Sequence, residues 1–181
     1  MAIEDCYREF ADGNRDAFVK IVEEFREKLI YFINRYVDNY SLAEDLSEDV
    51  FVEVLMHPGR YNYKTSLKTY LFTIGRNKAI DYIRKNKRIL YGELDTDFAG
   101  VVESFEEKYC KEEVEKAMLR LLSELKEEYR IVLYLLYFEE MSYEEVGRII
   151  HKNKKQVTNL AYRAKQTMRE ALRKEGFEYE E

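Results

Sequence analysis

The chain has 181 residues with 30 Lys and Arg against 36 Asp and Glu, a net charge of −6, 7 Gly and one Pro, and this composition favours an all-helical globular protein over a disordered one. No apolar run approaches the roughly 20 residues of a membrane span, and the acidic start lacks the features of a signal peptide. We therefore expect a cytoplasmic protein of one or two domains with no membrane insertion, whose two lone cysteines, Cys6 and Cys110, are reduced.

Three helices are predicted in the first half of the chain. Apolar residues at steps of three and four predict the first helix over residues 15–38. Ser41 and Glu44 fit a capping box at the start of the second helix, which ends before the His-Pro-Gly sequence at 57–59. After a short aromatic and basic loop, the third helix is predicted over residues 66–87.

The second half of the chain is predicted to begin with a linker and to end in a second helical domain. Residues 90–112 are acidic and weakly periodic, so we interpret them as a flexible linker. Periodic apolar residues then predict helices near 114–125, 129–138, 142–150 and 154–174. The predicted fold class is all-α, with two small helical domains at 1–89 and 113–181 joined by the acidic linker.

Charge is distributed unevenly over these elements. Residues 60–88 hold nine basic side chains against one acid, and residues 148–174 again hold nine against one. The stretches 41–55 and 91–112 are acidic, each with a net charge of −5. This pattern predicts a protein that contacts a polyanion at two places and keeps its other surfaces negative.

The last two predicted helices have the pattern of a helix-turn-helix, with capping pairs at Ser142 and Glu145 and at Asn153 and Gln156. A recognition helix needs Lys or Arg for phosphates and guanine, and Gln or Asn for adenine. An ordinary solvated helix of a small bundle is the alternative. The candidate DNA-binding residues of the last helix are Lys154, Lys155, Gln156, Thr158, Asn159 and Arg163.

The basic segment 60–88 is interleaved with aromatic residues. Basic side chains can follow a nucleic-acid backbone, and flat rings accept unstacked bases, so this mixture suits single-stranded or melted DNA. The alternative is structural, because rings such as Tyr70 and Tyr82 can lie at the core boundary with exposed hydroxyls.

Four stretches in register resemble the extracytoplasmic-function (ECF) type of bacterial RNA polymerase sigma factor, a family whose two helical domains are called regions 2 and 4. The match extends over nearly the whole chain, and within it His151 and Lys152 stand where the family has a Gly-Ile turn. The stretches are AEDLSEDVF (43–51), TYLFTIGRNKAIDYIRKNKR (69–88), EEYRIVLYLLYFEEMSYEEVGRII (127–150) and KKQVTNLAYRAKQTMREAL (154–172).

The resemblance implies a role for each stretch. The helix at 43–51 would dock on the β′ clamp helices of core RNA polymerase, the segment around 61–84 would open the −10 element and hold a flipped base, and the last helix would read the −35 element. The residues implied for polymerase binding are Asp45, Leu46, Glu48, Asp49, Val50 and Phe51. Those implied for the −10 element are Tyr61, Asn62, Lys64, Tyr70, Arg76, Asn77 and Arg84.

The resemblance also implies the partners. They are core RNA polymerase, through its β′ clamp helices and β flap, promoter DNA, and an anti-sigma factor. The sequence lacks the phosphate-binding glycine loops, HExxH and CxxC motifs, so we expect no enzyme activity, catalytic residue, cofactor, metal site or small-molecule substrate. Two other hypotheses stay open from the residues alone, a stand-alone helix-turn-helix regulator and a helical interaction protein with no DNA role.

Overall fold

The structure is a computed structural model that describes residues 3–90 and 120–174, with the side chains of 87–90 left out. Regular structure within these ranges is helical, which confirms the all-α prediction for the described residues. The described residues divide into two compact units, made mainly of residues 3–90 and of residues 120–174. Cys110, the linker predicted at 90–112 (apart from its first residue) and the first half of the predicted helix 114–125 lie outside the described residues.

The N-terminal unit contains four α-helices, joined between the third and the fourth by a 3₁₀ turn at Pro58–Arg60 and a loop. The first of them is absent from the sequence prediction, although Cys6, Tyr7 and Phe10 lie at helical spacing and share its buried side. The helices are α1 (Ile3–Ala11), α2 (Arg15–Val37), α3 (Tyr40–Met56) and α4 (Leu67–Leu90).

Asparagine side chains start both long helices of the α2–α3 hairpin. The Asn14 side chain accepts a hydrogen bond from the Asp16 backbone N–H at 3.1 Å, and Asn39 accepts one from the Leu42 N–H at 3.0 Å. Both bonds satisfy a donor that the first turn leaves unpaired. The capping box predicted at Ser41 is therefore wrong, because the helix begins at Tyr40 and Asn39 caps it.

The core of the N-terminal unit lies between α2, α3 and α4. Phe32 of α2 and Phe72 of α4 are fully buried with ring centroids 4.8 Å apart. Gly75 brings α4 close to α2, since a Cβ there would lie 3.4 Å from both Ile33 and Leu29. Burying this apolar surface is the main stabilising contribution to the three-helix arrangement.

The C-terminal helices are α5 (Glu127–Leu133), α6 (Tyr143–Ile150) and α7 (Lys154–Lys174), preceded by a helical stretch at 120–124. The predicted helix 129–138 is present, but after Leu133 it widens into a π-helical turn, Tyr134–Phe138. Val146 and Ile149 of α6 and Val157 and Ala161 of α7 are buried, so the two helices share one core.

The turn between α6 and α7 is tight and closed by side chains. The Asn153 N–H donates to Oε1 of Gln156, and the Gln156 N–H donates to Oδ1 of Asn153, both at 2.9 Å, which confirms the predicted capping pair. The Lys152 N–H donates to the Gly147 carbonyl at 2.9 Å, and a Cβ on Gly147 would lie only 2.5 Å from the Lys152 carbonyl oxygen. The spacing and the turn confirm the helix-turn-helix.

Candidate nucleic-acid interface

One side of α7 is exposed along its N-terminal half. Val157, Ala161 and Ala164 are buried on the opposite side, which fixes how the helix is rotated against its core. All six candidate residues at this end lie on the exposed side: Lys154, Lys155, Gln156, Thr158, Asn159 and Arg163. The helix therefore presents the residue types that the sequence predicted for contact with duplex DNA.

Three of these six side chains already have partners within the chain. Nζ of Lys154 lies 2.7 Å from Oε1 of Glu144, and this hydrogen bond raises the pKa of Lys154. Oε1 of Gln156 is engaged in the cap of α7, and the Thr158 hydroxyl donates to the Lys154 carbonyl at 2.9 Å. The remaining candidates form no ion pair or side-chain hydrogen bond within the described ranges: Lys155, Asn159 and Arg163.

Tyr162 lies on the polar side of the same helix, as the sequence predicts, but it is not among the six candidate residues. Its side chain is 65% exposed, and it lies seven residues after Lys155 and three after Asn159. Residues at that spacing share one stripe of a helix. The helical spacing that places Lys155 and Asn159 on the exposed side therefore places Tyr162 there too.

On α4, the exposed residues form a mixed polar stripe. Asn77 and Arg84 are exposed as predicted, and Nη1 of Arg84 lies 3.6 Å from Asp81 one turn earlier. Arg76 is half-buried, and its buried Nε has no hydrogen-bond partner among the described residues. Leaving such a donor unpaired costs free energy, and because the atom is buried it is not accessible to a ligand in this arrangement.

Two basic residues of the 60–88 segment bind to a carboxylate of α3 instead of facing solvent freely. Glu53 lies 2.9 Å from Nζ of Lys78 and 3.2 Å from Nη1 of Arg60. The hydrogen bond from Lys78 and, to a smaller extent, the charge of Arg60 hold the pKa of Glu53 below its ordinary value. These bonds connect α3, the loop and α4.

The loop before α4 contains a cluster of tyrosines. The Tyr61 hydroxyl donates a hydrogen bond to the Thr65 carbonyl at 2.7 Å. The centroid of its ring lies close to those of three other tyrosines, at 4.8 Å from Tyr7, 4.6 Å from Tyr63 and 5.0 Å from Tyr70. Tyr61 is only 4% exposed, and burial raises its pKa to about 12. Tyr61 is therefore buried among these rings in this arrangement, and its role in the −10 element stays a prediction.

Other residues of the loop are accessible. Asn62 and Lys64 are exposed, and Oδ1 of Asn62 accepts a hydrogen bond from the Lys64 N–H at 3.1 Å. Tyr63 is 43% exposed and has a positive φ of 59°, an uncommon conformation for an aromatic residue. Tyr70 is half-buried behind the loop, and burial is the main reason that its pKa is raised.

The acidic helix α3 differs from its prediction. Asp45, Glu48 and Asp49 are exposed as expected, so they are available to a basic partner. The three apolar residues predicted to anchor a partner are buried in the core of the unit, which corrects that part of the prediction: Leu46, Val50 and Phe51. The exposed apolar residues of α3 were missed by sequence reasoning, and they follow the acids at helical spacing: Val52, Leu55 and Met56.

The described residues contain no group of three or more His, Cys, Asp or Glu arranged to hold a metal ion. Among the helices described, none is long and apolar enough to cross a membrane.

Comparison with known proteins identifies the family. The model of Sigma-70 region 2 matches residues 21–89, and that of Sigma-70, region 4 matches residues 115–168, so that together they match more than half of the chain. The Bacillus subtilis ECF RNA polymerase sigma factor SigW is 26% identical over 96% of this chain and 98% of its own length. RNA polymerase sigma factor YlaC of the same organism is 24% identical over 89% of this chain and 95% of its own.

Solved structures agree with this fold. The sigma factor RpoE from Bartonella quintana, crystallised in complex with the anti-sigma factor NepR, matches 86% of this chain and 96% of its own with a TM-score of 0.68 and 21% identity. The two matched regions, the full-length relatives and the helix-turn-helix all indicate the same family. The chain therefore belongs to the sigma-70 family, as an ECF-type RNA polymerase sigma factor that directs promoter recognition and transcription initiation.

Proposed function

We propose that the two units of this sigma factor contact two states of promoter DNA, the C-terminal domain (113–181) the paired −35 element and the N-terminal domain (1–89) the melted −10 element. The linker at 90–112 joins them. The observation that supports this division most strongly is the exposed stripe of α7, where Lys155, Asn159 and Arg163 face outward from a capped helix-turn-helix.

At the −35 element, α7 enters the major groove with its N-terminal end. The Asn159 amide is suited to bond adenine in two places, and Lys155 and Arg163 to bond phosphate or guanine. Lys154 exchanges Glu144 for a phosphate. Gln156 keeps its oxygen in the cap, so it offers DNA only its amide donors. Thr158 lies beside them and contacts the backbone of the DNA.

At the −10 element, the exposed loop residues and α4 follow the unstacked strand. Asn62 and Lys64 lie in the loop, and Asn77 and Arg84 lie on the exposed side of α4. Arg76 of α4, which is half-buried, adds a positive charge near the strand. Unstacking a base costs a few kcal/mol, which contacts to the flipped base partly offset. Tyr61 and Tyr70 support this loop from behind through ring contacts.

Core RNA polymerase contacts the exposed side of α3. Asp45, Glu48 and Asp49 attract basic side chains of the β′ clamp helices, and Val52 and Met56 supply the apolar contact that the centre of an interface needs. We assign a second contact, with the β flap, to the C-terminal domain.

We further propose that an anti-sigma factor controls this chain, and that it works in the cytoplasm beside the polymerase. The support is the structural likeness to the sigma factor RpoE in its complex with the anti-sigma factor NepR. The chain would act as a non-catalytic subunit, because polymerisation belongs to the core enzyme. No cofactor, metal or small-molecule substrate enters this role.

Two charge reversals test the division of labour in the holoenzyme. Lys155→Glu should abolish protection of the −35 element from nuclease, since it places a carboxylate against phosphate. Arg84→Glu should leave that protection and reduce permanganate reactivity of thymines in the −10 element. Lys174→Glu, the same charge change at the other end of α7 and about 28 Å away, is the control. Equal loss of both signals in all three variants would contradict the proposal.

A further inference from the structure

The loop that connects α3 to α4 is held from outside by α1, a helix that lies before the residues 21–89 matched by the family model. Some of the loop's hydrogen bonds are local. They run from the Tyr61 hydroxyl to the Thr65 carbonyl, from the Lys64 N–H to the Asn62 side chain, and from the Thr69 N–H to the Ser66 hydroxyl at 3.2 Å. The ion pair of Arg60 with Glu53 ties the first turn of the loop to α3, and contacts with α1 add to it in fixing the position of the loop.

Tyr7 of α1 contacts this loop at two places. Its hydroxyl donates to the Pro58 carbonyl at 3.0 Å, at the beginning of the loop. Its ring packs edge-on against two rings in the middle of the loop, with its centroid 4.8 Å from that of Tyr61 and 6.1 Å from that of Tyr63. Tyr7 is fully buried, and burial raises the pKa of its hydroxyl, so the donor keeps its proton at neutral pH.

Two neighbours of Tyr7 on α1 extend the contact to the rest of the loop. The guanidinium of Arg8 lies 5.4 Å from the ring centroid of Tyr63, within the range of a cation–π interaction. Oε1 of Glu4 accepts a hydrogen bond from the Leu67 N–H at 3.4 Å, where α4 begins. Helix α1 is itself anchored on α2, where the rings of Phe10 and Phe18 are 4.7 Å apart.

Tyr63 is the point of this contact where strain and exposure coincide. A tyrosine at φ 59° is unfavourable unless its surroundings hold it there, and residues held in this way concentrate at functional sites. Tyr61 packs on this ring at 4.6 Å, and Arg8 approaches it from α1, while Asn62 and Lys64 on either side are exposed. The conformation of the two exposed residues therefore depends on contacts made by α1.

We propose that Tyr7 and Arg8 of α1 are positioning residues for base selection in the −10 element, because they fix the loop 57–66 on which the captured base is recognised. This inference rests on the proposed role of that loop in binding the melted strand. It assigns Tyr7 and Arg8 no direct contact with DNA. Their substitution should weaken the preference for one base over the others at a −10 position, while docking on polymerase and reading of the −35 element stay unchanged.

The test uses holoenzyme assembled from the full chain and core RNA polymerase, on promoter templates randomised in the −10 and −35 elements and scored by sequencing the transcribed templates. The variants are Tyr7→Phe, which removes only the hydroxyl, and Arg8→Gln, which removes the cation over Tyr63. Arg15→Gln, an exposed arginine at the start of α2, and Tyr36→Phe, at the end of α2, are controls with the same chemical changes. Melting temperature and core affinity are measured for each.

We expect both α1 variants to lower the ratio of preferred to disfavoured base at one or more −10 positions by roughly threefold or more, the effect of one lost hydrogen bond or cation–π contact. Preferences in the −35 element, core affinity and both controls should not change. Unchanged −10 preferences, or a uniform loss over both elements, would overturn the inference. If the unsubstituted chain selects no −10 sequence, the proposed function itself is contradicted. If it does select one and the two α1 variants select it equally well, only the present inference is contradicted.

Discussion

His151 closes the turn of the helix-turn-helix with an uncommon backbone conformation. Its φ is 56°, in the left-handed region that Gly adopts without steric cost. The resemblance to the family implies a Gly-Ile pair where this chain has His151 and Lys152, so a residue with a Cβ adopts a conformation that suits Gly better. The cost for a residue with a Cβ is about 1 kcal/mol or more.

Substituting His151→Gly should stabilise the C-terminal helices by up to about 1 kcal/mol, because relief of the left-handed strain exceeds the added entropy of Gly in the unfolded chain. The measurement is amide hydrogen exchange of α7 in the full chain, with urea unfolding as a second probe. His151→Ala, which retains the Cβ, serves as the control and should give no gain. Slower exchange in both variants, or in neither, would show that φ strain is not the cause.

Glu53 provides a pH-dependent contribution to the stability of the N-terminal unit. Because the folded state lowers the pKa of Glu53, its contribution is fully present above the ordinary pKa of 4.5 and is lost as the pH falls through the lower folded value. Its carboxylate is 31% exposed, so solvent reduces the energy of its ion pairs with Lys78 and Arg60.

The variant Glu53→Gln should therefore be less stable than the unsubstituted chain at pH 7, by about 1 kcal/mol or less. The difference should shrink as the pH falls from 4.5 through the lower pKa of folded Glu53, because below that value both proteins are uncharged at this position. Urea unfolding followed by circular dichroism across this pH range measures it. A difference that stays constant down to pH 3 would mean that shape, and not charge, links α3 to α4.

Among the elements, α3 has one side buried in the core and another side exposed to a partner. The sequence motif alone did not show which residues lie on which side. The motif at 43–51 mixes buried and exposed residues, and the resemblance gave no rotation of the helix. Once Val50 is fully buried, helical geometry turns Val52 and Met56 outward beside Asp45 and Asp49.

Substitutions on the two sides of α3 should have different effects. The double variant Val52→Ser, Met56→Ser should reduce affinity for core polymerase about tenfold, equivalent to about 1.4 kcal/mol, with little change in melting temperature. Leu46→Ala should instead lower stability by about 2 kcal/mol or more, because it removes buried methyl groups. Affinity measured by fluorescence anisotropy and melting by circular dichroism distinguish the two.

A matched control is Val19→Ser on α2, which also removes an exposed apolar side chain. It should leave core affinity unchanged. Equal loss of affinity from Val19→Ser and from the double variant would argue that general surface hydrophobicity, and not the outward side of α3, determines docking.

The helices that the sequence predicted are those with long apolar periodicity or explicit caps. α2 extends over 23 residues and α7 is closed by the reciprocal Asn153–Gln156 pair, so local signals determine both. The sequence prediction omitted α1, although Cys6, Tyr7 and Phe10 have helical spacing there. The π-helical turn Tyr134–Phe138 depends on tertiary packing, which periodicity does not report. The burial of Tyr61 could not be predicted for the same reason. The composition of its loop suits base binding, but Tyr61 packs against Tyr7, a residue 54 positions away in the sequence.

For the whole molecule, the decisive property is the distribution of charge: the protein has a negative net charge, but it exposes basic side chains on two helices. The net charge of −6 opposes binding to DNA, while exposed residues such as Lys155 and Arg84 attract it locally. Binding by the chain alone should therefore be weak and fall steeply with salt. Core polymerase should supply the additional contacts that make promoter binding specific.

Run-off transcription with purified core RNA polymerase tests this account most directly. Templates carrying promoters selected by the holoenzyme are transcribed with core alone, with core and the chain, and with the Lys155→Glu and Arg84→Glu variants. We predict transcripts from a defined start only when core and the unsubstituted chain are both present, and at least tenfold fewer with either variant. Tight, sequence-specific duplex binding by the chain without polymerase, or no defined transcript with it, would contradict the account.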